Sequence, residues 1–346
     1  MKKNLFIFIV LAPLLGILLA GGRVYYSIAM WKYEGPDKEF QVKPGEGFSS
    51  INGRLGREEL ISNTRIFHRY AQINGQMTKF KAGNYIIKSG SNLIDVVNIL
   101  TSGAGITETV TIPEGKNLFE IAEILEKSEI SKKDEFIAIA KDMDFAAELG
   151  IPAERLEGYL YPDTYHFAKN TPAKEVAKKM VSTFNAKTKD VDFSTINLSK
   201  HEVVIMASLV EKETGASFER PRISGVFHNR LKKRMRIQSD PTTIYGIWER
   251  YNGNLRKSDL LEKTPYNTYK ISGLPVGPIA NPGIEAIQAA IQPEEHSFLY
   301  FVSKNDGTHV FSTNLKDHNS AVDYWQKNSR NRKGRSWRDL NKNKDQ

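Results

Sequence analysis

Ser199-Lys200-His201-Glu202-Val203-Val204-Ile205-Met206-Ala207-Ser208-Leu209-Val210-Glu211-Lys212-Glu213-Thr214-Gly215 reads as one helix with both ends marked. Ser199 with Glu202 three residues on is a capping box, in which the serine accepts from the helix backbone and the glutamate reaches back to the Ser199 N–H. Gly215 is the expected stop. Apolar residues occupy most of the circumference between them, so the helix is expected to be buried. Two carboxylates stand at its end. At about 100° per residue, Glu213 falls between Leu209 and Met206, and Glu211 between Ala207 and Val204. They face nearly opposite ways and cannot act as a pair on one bond. A carboxyl held against apolar walls has a raised pKa and can serve as a general acid near neutrality. Periodicity favours Glu213 only slightly, through Val210 and Met206. The alternative is two solvated residues at a helix end, where negative charge is mildly unfavourable.

The chain beyond this helix is dense in polar and aromatic residues. Arg230-Leu231 leads to Met235-Arg236-Ile237-Gln238-Ser239-Asp240-Pro241-Thr242-Thr243-Ile244-Tyr245-Gly246, then to Thr264-Pro265-Tyr266-Asn267-Thr268-Tyr269, then to Gly273 through Gly283. These stretches are too apolar and aromatic for plain linkers and predict ordered loops lining a cleft. Tyr245, Tyr266 and Tyr269 are candidates for stacking on sugar faces. Gln238, Asn267 and Asn281 are candidates for holding hydroxyl or acetamido groups. Phe298–Val302 reads as a core strand, paired as a hairpin with Thr308–Phe311 across Asn305-Asp306-Gly307. His309 and His318 lack a third ligand at credible spacing, so no metal is expected, and no cofactor.

Upstream, one spacing recurs three times: Val42, Gly45, Phe48, Ile51; then Ile87, Gly90, Leu93, Val96; then Ile112, Gly115, Leu118, Ile121. Each reads as a strand end, a glycine turn and the first turns of an amphipathic helix. Helical periodicity continues over Leu118–Lys127, Lys133–Leu149 and Ala173–Lys187.

At the N-terminus, Lys2 and Lys3 precede an apolar run from Leu5 to Gly22, near the short end of what spans a bilayer. Val24, Tyr25, Tyr26, Ile28 and Trp31 extend it, with the aromatics expected at the interface. A cleaved signal peptide is the alternative, with Ala20 and Gly22 as a weak cleavage pattern; the length of the run and the lack of an Ala-x-Ala site favour an uncleaved anchor. Lys2 and Lys3 point to a cytoplasmic N-terminus, diluted by Arg23 and Lys32. The 346 residues carry a formal charge of +9 and no cysteine, which excludes a disulfide scaffold, a cysteine zinc site, a thiol nucleophile and a lipidated cysteine. Part of the charge lies in a tail, Lys327 to Arg338, that reads as a solvated end or as an attraction to an anionic polymer or lipid headgroups. No nucleic-acid motif accompanies it.

Phe40-Gln41-Val42-Lys43-Pro44-Gly45-Glu46-Gly47-Phe48 with Ile51 resembles the entry of LysM modules, which bind N-acetylglucosamine polymers. The chain as a whole resembles the endolytic murein transglycosylases, the YceG-like family. The residues that carry this are Ala207 through Thr214, Arg236 through Thr242, Tyr266-Asn267-Thr268-Tyr269, Gly273-Leu274-Pro275, Phe311 through Leu315 with His318-Asn319, and Leu156 through Tyr165. The resemblance implies a single-pass inner-membrane protein with its enzyme domain outside the cytoplasm. It implies non-hydrolytic cleavage of the MurNAc–GlcNAc bond in nascent strands of peptidoglycan, with peptidoglycan synthases as candidate partners. Lytic transglycosylases carry their catalytic glutamate in a Glu-Ser or Glu-Thr pair at a helix end, which Glu213-Thr214 matches and Glu211-Lys212 does not. The resemblance therefore selects Glu213.

The expected architecture is α+β: residues 1–31 as cytoplasmic tip and transmembrane anchor, 32–38 as linker, 39–105 as a LysM-like βα subdomain, 106–326 as catalytic domain and 327–346 as basic tail. The expected site is Glu213 with Thr214, Gln238, Ser239, Asp240, Tyr245, Tyr266, Asn267, Tyr269 and Asn281 on the substrate. Two other readings compete: a glycan hydrolase using Glu213 and Asp240, and a non-catalytic, membrane-tethered peptidoglycan-binding scaffold.

Overall fold

The computed structural model describes residues 12–43, 45–102, 105 and 107–328. Lys2, Lys3 and the front of the apolar run lie outside the described residues, as does the basic tail from Arg330 to Arg338. The chain divides into two compact units, residues 1–109 with 166–170, and residues 110–165 with 171–346.

The first described element of the first unit is helix α1 (Ala12–Tyr25), which runs on through a π-helical turn, Tyr26–Met30. Pro13–Met30 is an 18-residue stretch long and apolar enough to cross a membrane. Leu14, Leu15, Ile17, Leu18 and Leu19 are exposed on it. Its last turn behaves differently: Ser27 is buried, and Ile28 and Trp31 pack on the core of the unit. Trp31, expected as an interfacial anchor, is thus partly a packing residue. Beyond it, strand β1 (Lys38–Val42), helices α2 (Phe48–Arg57) and α3 (Thr64–Ile73), and strand β2 (Gly83–Ile87) form a β-α-α-β unit, with α4 (Leu93–Ser102) next in the chain. The strands are antiparallel, with Phe40 opposite Tyr85. Alternation along β1 and β2 turns Phe40, Val42, Tyr85 and Ile87 inward, onto Ile51, Leu55, Phe67, Leu93 and Val96.

The recurring strand-turn-helix spacing is a structural fact. Gly45, Gly90 and Gly115 have φ of +73°, +87° and +74°, the left-handed region that favours glycine. The apolar positions around them are almost fully buried, apart from the half-buried Phe48.

Strand β3 (Glu108–Thr111) runs from the first unit into the second and leads to α5 (Leu118–Lys127), whose Asn117–Glu120 capping box starts the helix where the periodicity predicts. The stretch expected as one helix, Lys133–Leu149, is two, α6 (Lys133–Ala140) and α7 (Met143–Glu148). The break comes at Asp142, whose side chain accepts from the Phe145 N–H and starts a new helix. Strand β4 (Thr164–Phe167) pairs with β3 and leads to α8 (Ala173–Lys187).

Helix α9 (Lys200–Glu213) is the centre of this unit. Its Ser199–Glu202 capping box is formed, and Val203 through Val210 are all buried. Gly215 does not provide a left-handed stop. The helix ends because Thr214 turns extended (φ −139°, ψ 137°) and its hydroxyl accepts from the Ala216 N–H. Helices α10 (Arg220–Lys232) and α13 (Ile284–Ile291) pack against α9, with the short helices α11 (Asp240–Gly246) and α12 (Lys257–Leu261) between them in sequence. The hairpin of β5 (Tyr300–Ser303) and β6 (His309–Ser312) is antiparallel and leads to helix α14 (Leu315–Val322). Within β5 only Val302 is buried, so this strand borders the core and leaves half-exposed side chains free to line a surface.

Candidate active site

Glu213 lies at the last helical residue of α9, where the apolar circumference gives way to a cleft of about 370 Å³. Arg230, Ile237, Gln238, Asp240, Tyr269, Tyr300, Phe301, Leu315, His318 and Asn319 form the rest of its wall. The carboxyl accepts a short hydrogen bond from the Ser239 hydroxyl, 2.5 Å to Oε1. Burial pushes the Glu213 pKa up to about 7; the Ser239 bond pulls it down, the nearby Asp240 charge raises it and Arg230 lowers it. The group is therefore divided between acid and carboxylate near neutral pH, as a residue that must both give and take a proton requires.

Ser239 is held from several sides. Its N–H donates to the Thr268 hydroxyl at 3.0 Å, its carbonyl accepts from the Thr242 hydroxyl at 2.6 Å, and those two hydroxyls lie 2.8 Å apart. The residue before it, Gln238, has φ +53°, a strained conformation for a side chain other than glycine, and its N–H donates to the Thr268 carbonyl. Asp240 opens α11, and its Oδ1 accepts from the Tyr269 hydroxyl at 2.6 Å. Glu213, Gln238, Ser239, Asp240 and Tyr269 are thus brought together at one site.

The other expected substrate contacts have structural surroundings. Thr214 is buried and spends its hydroxyl on Ala216. Asn267 is fully buried: its Oδ1 accepts from the Thr243 hydroxyl and the Tyr269 N–H, and its Nδ2 donates to the carbonyls of Asp259, Leu260 and Glu262. Asn281 is fully buried too, accepting from the Leu160 N–H and donating to the Lys116 carbonyl and to Glu157. Their amides are occupied in tying loops together, so neither can hold an acetamido group here. Tyr245 and Tyr266 contact each other edge to face and border a different pocket from the Glu213 cleft.

Four polar cleft residues were not among the expected catalytic or substrate-binding residues: Arg230, Tyr300, His318 and Asn319. Arg230 had a signal, a cation three and four residues beyond Phe227 and Val226 on the buried face of α10. It donates to the carbonyls of Leu299 and Ile237 and lies 5.2 Å from the Tyr300 ring, joining helix, turn and hairpin at the cleft. The hairpin is fixed from its other strand, where His309 Nδ1 lies 2.7 Å from buried Glu219. His318 stacks on Tyr300 at 5.2 Å, and burial holds its pKa below the usual histidine range. No cluster of three or more metal-ligating side chains occurs among the described residues.

Glu211 takes no part in the cleft. Its side chain is buried against Arg220 at 2.9 Å and accepts from the Gly283 N–H at 3.1 Å.

The sequence profile of the YceG-like family matches residues 40–324. The chain is 34% identical to the endolytic murein transglycosylase of Bacillus subtilis, over 88% of this chain and 90% of that protein. It is 28% identical to the endolytic murein transglycosylase of Streptococcus pneumoniae, over 89% of this chain and 63% of the longer relative. A crystal structure of a YceG-like protein from Listeria monocytogenes superposes with a TM-score of 0.56 at 32% identity, covering 82% of this chain and 99% of that one. With a family match across most of its length and a full-length relative above 30% identity, the chain belongs to the YceG-like family.

Proposed function

We propose that this protein is an endolytic murein transglycosylase with Glu213 as its single catalytic acid and base. The observation that carries the reading is a glutamate at the end of a buried helix, its pKa pushed up to about 7, opening on a cleft and bonded to Ser239. Protonated Glu213 donates to the glycosidic oxygen between MurNAc and GlcNAc as the bond to MurNAc C1 breaks. The resulting carboxylate takes the proton of the MurNAc C6 hydroxyl, whose oxygen bonds to C1 and closes a 1,6-anhydro ring. The nucleophile is within the substrate, so neither water nor a second carboxylate is consumed, unlike the usual two-carboxylate scheme. Gln238 and Tyr269 are the side chains we assign to orienting the sugar. Asp240 lines the same cleft, which is what a hydrolase reading would use; its bond from Tyr269 and its effect on Glu213 favour an electrostatic role instead.

On the same footing, residues Pro13–Met30 anchor the protein in the cell membrane once, the catalytic unit lies outside the cytoplasm, and the β-α-α-β unit is a LysM-like module. Nascent peptidoglycan is the substrate, and peptidoglycan synthases are the protein partners this role implies. Digestion in water enriched in oxygen-18 tests the chemistry: a transglycosylase incorporates no label into the new ends, whereas one labelled oxygen per cut identifies a hydrolase.

A further inference from the structure

A second pocket of the catalytic unit, about 490 Å³, lies at the far end of α11 from the Glu213 cleft. Helix α11 starts with Asp240 in the cleft and ends with Tyr245 and Gly246 on the second pocket, about 9 Å away at 1.5 Å per residue. The Thr264–Tyr269 loop makes the same link, with Tyr266 on the pocket and Tyr269 on the cleft. Helix and loop are pressed together at Gly246, where a Cβ would lie 2.5 Å from the Thr264 hydroxyl.

The wall of the pocket has two parts. Phe119 and Trp248 stack at 6.0 Å with their planes 13° apart, and the Lys141 ammonium lies 4.7 Å from the Phe119 ring, which leaves Trp248 as the part of this flat aromatic pair without a cation over it. Opposite chemistry comes from Arg155, whose guanidinium lies 5.9 Å from the Tyr266 ring. The other cations of the rim are already paired: Lys141 with Glu249 at 3.5 Å, and Arg250 with Asp259 at 2.9 Å. Arg155 forms no salt bridge among the described residues; it is half-buried in the wall, hydrogen-bonded to the Tyr245 hydroxyl and attracted by the buried Glu157 behind it. The floor is stiff, because the Tyr245 hydroxyl donates to fully buried Glu157, which also accepts from the Leu118 N–H and Asn281. A flat aromatic face beside a guanidinium without a salt-bridge partner suits an amphipathic ring that carries a carboxylate.

We propose that this pocket is a second subsite for the glycan strand, in which a pyranose stacks on Trp248, itself backed by Phe119, and a carboxylate of the peptide borne by that muramyl residue pairs with Arg155. The inference rests on the glycan-strand substrate proposed for Glu213 and adds where a neighbouring repeat of the same strand is held. An enzyme that cuts inside strands must grip them away from the scissile bond, and binding energy from such remote contacts is what positions the reacting atoms.

The test uses the full chain carrying Glu213→Gln, in detergent, titrated calorimetrically with two probes: uncrosslinked glycan strands with stem peptides, and the same strands stripped of peptides by an amidase, with the lactyl carboxylates this exposes converted to methylamides. Trp248→Ala is expected to weaken binding of both probes by about tenfold. Arg155→Met is expected to weaken binding of the peptide-bearing strands by about tenfold and to leave the stripped strands unaffected. Strand binding should also change tryptophan fluorescence in the Glu213→Gln chain, and Trp248→Phe should abolish that change, a readout that survives if Trp248→Ala does not fold. Unchanged affinity in folded variants, or a Glu213→Gln chain that binds neither probe, overturns the subsite. The functional reading fails separately: a wild-type chain that binds strands through Trp248 and Arg155 but leaves no anhydro ends keeps the pocket and loses the enzyme.

Discussion

Glu211 and Glu213 leave the same helix two residues apart and meet different fates: Glu211 is locked to Arg220 at 2.9 Å, while Glu213 opens on a cleft with one hydroxyl, Ser239, at 2.5 Å. Arg220 is buried as well, and it also bonds Glu114 and Glu285. Removing one member of a buried pair strands the other's charge, at a cost of about 3–5 kcal/mol. Arg220→Ala should therefore lower the unfolding free energy by that amount, read as a lower denaturant midpoint. Glu213→Gln should cost little stability, because it removes a carboxyl that folding already strains.

The raised pKa of Glu213 has a definite sign in catalysis. The acid step needs the proton, so the rate should fall as pH rises through about 7. Asp240 raises the Glu213 pKa, so Asp240→Asn should move this fall to lower pH. The bond from Ser239 lowers it, so Ser239→Ala should move the fall to higher pH, with a reduced maximum rate from the lost positioning. Rate–pH profiles of the two variants are expected to shift in opposite directions; shifts in the same direction would contradict the electrostatic assignment.

Glu157 is fully buried, and burial pushes its pKa up to about 7 against hydrogen bonds from Leu118, Tyr245 and Asn281. A carboxyl with a folded pKa above its unfolded value binds more protons in the folded state. Stability therefore falls as pH rises from the ordinary carboxylate range, near 4.5, to about 7. Glu213 acts in the same window and direction. Glu157→Ala leaves the Leu118 N–H and the Tyr245 hydroxyl without an acceptor and removes one of the two bonds of the Asn281 amide, and should destabilise by about 3 kcal/mol or more. Urea unfolding at pH 5 and pH 8 measures both effects; in the Glu157→Gln, Glu213→Gln double variant the loss of stability between these pH values should shrink.

Asn267 and Asn281 separate structural from substrate-binding roles. Each amide is fully engaged inside the protein, so Asn267→Ala and Asn281→Ala should lower the melting temperature, by several degrees for a cost of about 1–3 kcal/mol. Gln238→Ala should leave the melting temperature nearly unchanged and raise KM. Gln238→Gly should raise both, because glycine relieves the φ of +53° while the amide is lost to the substrate.

The long-range part of this site explains what the sequence could and could not reveal. The capping box, the buried helix and the opposed directions of Glu211 and Glu213 depend on spacing along one helix, and all three are legible in residues 199–214. The strand-turn-helix units are legible for the same reason, because each turn glycine has core residues after it at fixed spacing. The roles of Asn267 and Asn281 were not legible, since an amide in a polar loop looks the same whether it faces a sugar or the carbonyls of Asp259 and Glu262. Tyr300, His318 and Asn319 reach the cleft only because His309 pairs with Glu219 and Arg230 holds Leu299, contacts between residues far apart in the chain. The split of Lys133–Leu149 at Asp142 was visible in principle, as an Asp three residues before Phe145, but continuous apolar periodicity hid it.

The most direct test of the central claim is mass spectrometry of uncrosslinked glycan strands after incubation with the full chain, beside a Glu213→Gln control. Internal fragments ending in 1,6-anhydroMurNAc, present with the wild-type chain and absent from the control, are the predicted result. Fragments with reducing ends, or equal anhydro products from the control, would contradict it.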